Sequence, residues 1–84
     1  VSYEQEFLKE FEEWVSQQVM INKMAMEQSQ AVWEESQDER AKEAVIRYES
    51  RLDAYQFLTT KFANYHDGKS FHDLPDDLFG TRPY

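Results

Sequence analysis

The 84-residue sequence has no cysteine, so disulfides, thiolate metal sites and cysteine nucleophiles are all excluded. A cysteine-free chain fits a reducing compartment, and the expected location is the cytoplasm. Glycine and proline number two each and all four lie at or beyond Gly68, which leaves 67 residues without a helix breaker. No hydrophobic run approaches the length of a bilayer span, and the opening VSYEQEF lacks a basic stretch followed by an apolar one. Neither a membrane span nor a signal peptide is expected, and no internal repeat or low-complexity segment is present. Cations are also scarce. Nine lysines and arginines face 17 carboxylates for a net charge of −8, so the chain is repelled by phosphate backbones and direct nucleic-acid binding is not expected.

Aromatic residues, by contrast, make up 15% of the chain. In a domain this short, large side chains raise the area each buried position contributes. The clearest pattern is Glu39–Tyr65, where Ala41, Val45, Tyr48, Leu52, Tyr55, Phe62 and Tyr65 recur at steps of three and four, with Leu58 and Thr59 between. That alternation predicts a helix burying one stripe against a partner helix. Upstream, Ser2 can cap a helix whose first turn carries Glu4 and Glu6. Phe7, Phe11, Trp14, Val15, Ile21, Ala25, Val32 and Trp33 are expected to share its buried face, with Leu8, Val19 and Met26 on one shoulder. The stripe is roughly 160° wide, broader than one neighbouring helix covers. Gln18, Asn22 and Ser29 fall inside it and either bond across the bundle to fix register or lie where the core is thin.

A continuous rod through Glu34–Glu39 would place Glu34/Asp38 and Glu35/Glu39 at like-charge i,i+4 spacing. Ser36-Gln37-Asp38-Glu39 instead matches a capping box, so the chain is expected to turn there. Folding back also sets the acidic half beside a slightly basic one: residues 1–40 hold ten carboxylates and three cations, residues 41–66 three and four. The predicted fold is all-α, a single domain over 1–84. It consists of a long antiparallel two-helix hairpin (helices about 3–35 and 38–66, turn about 36–37) with a C-terminal segment 67–84 packed across it. Gly68 is expected to end the second helix in a left-handed conformation. Phe71, Leu74, Leu78 and Phe79 are the expected anchors of the segment, and Pro75–Phe79 a short helical turn closed by Gly80.

The stretches SYEQEFLKEFEEWV, DERAKEAVIRYESRLDAYQFL and GKSFHDLPDDLFGTRPY resemble a small domain-of-unknown-function family of streptococci and related Gram-positive bacteria. The resemblance covers essentially the whole chain. It implies a short, cytoplasmic, all-helical protein and transfers no functional residue.

Chemistry-bearing constellations are weak. His66-Asp67 and His72-Asp73 straddle a glycine and are read as capping and turn residues rather than metal ligands. Glu10-x-x-Glu13 and Glu35-x-x-Asp38 have the spacing of acidic pairs that hold magnesium in helical nucleotide hydrolases, although no cations for a phosphate lie beside them. No G-x-S-x-G elbow or Gly-rich phosphate loop is present. No cofactor is expected. Met20 and Met24 fall on the back of the first helix, and Ile46 and Phe57 on the back of the second. These four are the candidate partner-binding residues, and self-association into a four-helix bundle, a homodimer, is their first expected use. The leading expectation is a non-enzymatic protein–protein interaction or small regulatory module. The alternatives are an acidic nucleic-acid-mimicking inhibitor of a basic protein, and a magnesium-dependent nucleotide hydrolase using Glu10/Glu13 and Glu35/Asp38.

Overall fold

A computed structural model describes residues 2–74. They form two helices, α1 (Tyr3–Ser36) and α2 (Glu39–His66), packed along their length as an antiparallel hairpin. The all-α hairpin read from the periodicity is the fold observed.

Ser2 caps α1 as expected. Its Oγ accepts from the Gln5 amide at 3.1 Å, and its own amide donates to Gln5 Oε1 at 3.3 Å, a reciprocal box. With no glycine or proline to interrupt it, α1 runs on for 34 residues. It stops where Gln37 turns left-handed (φ 58°) and donates its amide to the Trp33 carbonyl at 2.8 Å.

The turn itself differs from the expected Ser36–Glu39 capping box. Ser36 is the last residue of α1, and its hydroxyl donates back to the Val32 carbonyl at 2.8 Å. Asp38 caps α2 instead, with Oδ1 accepting from the Arg40 amide at 2.9 Å. A carboxylate is the stronger acceptor for the exposed amides of a helix start. The Arg40 side chain also donates to both Asp38 oxygens, at 3.3 and 3.1 Å.

Four apolar residues are buried among those described: Val15, Ala41, Leu52 and Phe62. On α2 the core stripe is where the spacing placed it through Phe62, with Ala41, Leu52 and Phe62 buried and Val45, Tyr48, Tyr55 and Leu58 half-buried. Thr59 and the last expected member, Tyr65, are exposed instead, Tyr65 because it lies past the turn of the stripe toward the open side of the hairpin. Asn22 is buried as well, and its Nδ2 donates to the Gln18 carbonyl of its own helix at 2.7 Å. That bond keeps the amide satisfied inside α1 and makes no link across the hairpin.

Gly68 adopts φ 71° and ends α2, as expected. The following residues turn back along α2 and are tied by polar bonds. Lys69 donates its amide to the Asn64 carbonyl (2.8 Å), Asn64 Nδ2 donates to the Asp73 carbonyl (2.8 Å), and Lys61 Nζ donates to the Phe71 carbonyl (3.0 Å). Phe71 and Leu74 stay exposed, so backbone carbonyls rather than buried side chains hold this piece, contrary to the anchoring expected of them. The expected anchors Leu78 and Phe79 and the turn Pro75–Phe79 with Gly80 lie outside the described residues.

Candidate interaction surface

α1 carries two rows of positions with alternating steps of four and three, offset by one residue. The first runs Leu8, Glu12, Val15, Val19, Asn22, Met26, Ser29 and Trp33; its members are buried or half-buried against α2. The second runs Phe7, Phe11, Trp14, Gln18, Ile21, Ala25, Gln28 and Val32. A one-residue offset is about 100° of rotation, so the rows look in directions nearly at right angles. One partner helix closes one row.

α2 closes the first, which corrects the expected buried face of α1. Val15 is fully buried, whereas Phe7, Trp14, Ile21 and Val32 are 54, 46, 55 and 48% exposed. The shoulder residues Leu8, Val19 and Met26 form the seam, and the expected centre of the stripe lies beside it. Aliphatic side chains at the contact let the helix axes approach closely, while a line of phenyl and indole rings would hold them apart.

The uncovered row begins as an aromatic ladder. Ring centroids are 6.0 Å apart for Tyr3–Phe7 and 6.5 Å for both Phe7–Phe11 and Phe11–Trp14. Two edge-on contacts tie it to α2, Phe11–Phe62 at 5.1 Å and Trp14–Tyr55 at 5.6 Å. These contacts also identify the side of α2 that continues this face: Arg47, Arg51, Ala54, Leu58, Lys61 and Tyr65, again at steps of four and three. Lys61 Nζ lies over the rings of Phe57 (5.0 Å) and Phe71 (4.8 Å), and Arg47 and Arg51 approach the Tyr48 ring at 5.6 and 5.7 Å.

Met20, Met24, Ile46 and Phe57 are all exposed. Helical position puts the methionines on the outer edge of α1, one turn apart, and Ile46 and Phe57 on the outer edge of α2, three turns apart. The two edges point away from each other, so the fold does not gather the four into one patch. Helical spacing assigns the residues of the uncovered row to the core, so that reading does not mark the aromatic face as a site. Its signal was legible in the excess width of the stripe and in the second four-three series.

The carboxylate pairs proposed for magnesium do not converge. Glu10/Glu13 and Glu35/Asp38 sit near opposite ends of the hairpin, about 33 Å apart at 1.5 Å per residue over the 22 steps from Glu13 to Glu35, so no ion can bridge them. Asp38 is occupied as a helix cap and paired with Arg40. His66 Nε2 lies 2.8 Å from Glu12 Oε1, joining the two helices, and the His72 ring packs edge-on against Phe71 at 5.4 Å. Among the described residues no three histidine, aspartate or glutamate side chains come together as a metal site. The acidity is not spread as a phosphate-like double row. On α1 the carboxylates fall into Glu4–Glu13 and Glu27–Glu35, separated by thirteen residues whose one charged group is Lys23. Among the described residues no helix is long and apolar enough to cross a membrane.

A protein of unknown function from Streptococcus pyogenes, SPY1572, whose crystal structure is solved, is 60% identical, with a TM-score of 0.83. The match covers 92% of this chain and all of that one. No curated protein matches. The sequence pattern of one family, described as Domain of unknown function (DUF1912), matches residues 1–84, and the chain belongs to that family.

Proposed function

We propose that this chain is a non-enzymatic, cytoplasmic protein–protein interaction module, and that the uncovered aromatic row of α1 is its working surface. The observation that carries this reading is the second four-three series. A row of this period extended over Phe7–Val32 is the pattern a helix uses to receive another helix, and among the described residues no helix covers it, α2 touching only Phe11 and Trp14 edge-on. Five large apolar side chains at least a third exposed in one line (Phe7, Phe11, Trp14, Ile21, Val32) also exceed the scattered surface residues of an ordinary monomer. The outer-edge residues Met20, Met24, Ile46 and Phe57 are secondary contact candidates, suited to a partner lying along one edge.

Site-specific photo-crosslinking tests the reading. A benzophenone side chain at Phe7 or Ile21 is expected to give discrete protein adducts in native extract, whether to a second copy or to another protein. The same group at Glu49, on the opposite side of α2, is expected to give none. Equal adducts from all three positions, or none from any, would contradict it.

A further inference from the structure

Resting on that reading, we infer that the occupant of the aromatic face is the same face of a second copy of this chain, related by a twofold axis parallel to the helices. In this dimer α1 of each copy packs on α2 of the other, and both turns lie at one end of a four-helix bundle.

Three observations lead there. First, the face is the right size. It runs from Phe7 to Val32, roughly 39 Å at 1.5 Å per residue, and two adjacent helices make it roughly 20 Å wide. The product, on the order of 800 Å², is the area each partner contributes to a standard stable interface. Second, the hairpin alone is thinly built, with four buried apolar residues among those described. Domains this small gain stability by association when cross-links are absent.

Third, charge selects the pairing. Two face-to-face twofold arrangements exist. An axis across the helices sets α1 against α1, which apposes two helices that each carry eight carboxylates and two lysines. An axis along the helices sets α1 against α2, which carries four carboxylates and five cations in all and whose side on this face carries Arg47, Arg51 and Lys61 against one carboxylate, Glu43. Rotation about that axis preserves height. The Phe11–Phe62 contact fixes the heights within one copy, so Glu10 of one chain reaches the level of Lys61 of the other. Arg47 and Arg51 form no ion pair among the described residues, and in this arrangement they reach the uncharged middle of α1 beside Ile21 and Ala25. The second arrangement brings Glu10 and Lys61 to one level and keeps the two acidic helices apart, whereas the first sets those two helices against each other, where like charges repel.

Sedimentation equilibrium of the full chain, taken up to about 200 µM, tests the inference by mass action. The mass is expected to rise from 10.1 kDa toward twice that value. Phe7→Glu and Ile21→Glu, both at exposed positions, are expected to keep the helical circular dichroism and hold the mass at the monomer value. Met20→Glu on the outer edge is expected to leave the dimer intact. Orientation is read from one spin label at Glu34→Cys, unique because the chain has no cysteine. Turns at one end give a label separation of about 25–35 Å, and turns at opposite ends about 45 Å or more. A monomer throughout, a dimer dissolved by Met20→Glu but not by Ile21→Glu, or the long separation would each overturn the inference. A monomer that still gives adducts from Phe7 to another protein would overturn the dimer alone and leave the interaction reading standing.

Discussion

The two rows of α1 run side by side for most of its length, yet they differ in what occupies them and in what covers them. The row closed by α2 contains Leu8, Val15, Val19, Met26 and a terminal Trp33, interrupted by Glu12, Asn22 and Ser29, and the row left open contains most of the larger side chains, Phe7, Phe11, Trp14 and Ile21. Within one helix, then, the more hydrophobic face is the exposed one. Burial in a hairpin follows the fit between two helices, and the surplus apolar surface is left for a partner outside the hairpin.

Substitutions in the two rows and in the stripe facing them should separate sharply. Phe62→Ala empties a buried site and breaks the edge-on contact with Phe11, and should cost about 3–5 kcal/mol in urea unfolding; Leu52→Ala should cost about 2–5. In dilute solution Phe7→Ala, in the open row, should cost under about 1 kcal/mol, and a loss as large as that of Phe62→Ala would show that the open row is buried after all.

Much of this was legible beforehand. The hairpin, the α2 stripe, the Ser2 cap and the Gly68 stop all followed from period and punctuation, because each is set by neighbours within a few residues. The face of α1 did not follow. Two adjacent rows of the same period merge into one wide stripe on a helical wheel, and a single sequence does not say which row a partner of limited width will choose. The cap of α2 failed for a local reason. Ser36 and Asp38 were both competent acceptors, and α1 extended far enough to use the Ser36 hydroxyl for its own last turn.

Smaller effects sharpen the comparison at the ends and gaps of the rows. Ser2→Ala removes the box that starts α1 and should cost about 1 kcal/mol by thermal or urea unfolding. Asn22→Leu replaces the buried amide in the closed row, and the stability should stay within about 1 kcal/mol of wild type, on the stabilising side, because the amide bonds only within its own helix. A larger loss would assign Asn22 a role in register. Glu12→Gln weakens the contact to His66 at the open end, and since both groups are over a third exposed the change should be a few tenths of a kcal/mol.

The turn adds a pH dependence. Hydrogen bonds from the Arg40 side chain, and then from its amide, hold the Asp38 carboxyl below its ordinary value of 3.8. A carboxyl depressed in the folded state binds its proton more readily when unfolded. Its stabilisation is therefore fully present above the unfolded value and is lost as the pH falls through the folded one. The difference between the acid-unfolding curves of wild type and Asp38→Asn should open above pH about 4 and close below it. A difference constant with pH would mean that the cap acts without its charge.

The second row of α1 should be open in the single chain and closed in company. Hydroxyl-radical footprinting read by mass spectrometry, across a series of protein concentrations, measures this residue by residue. Phe7, Trp14 and Ile21 should be labelled in dilute solution and protected as concentration rises, while Leu52 and Phe62 should stay protected throughout. Protection of Phe7, Trp14 and Ile21 at every dilution, or equal labelling of them at every concentration, would contradict it.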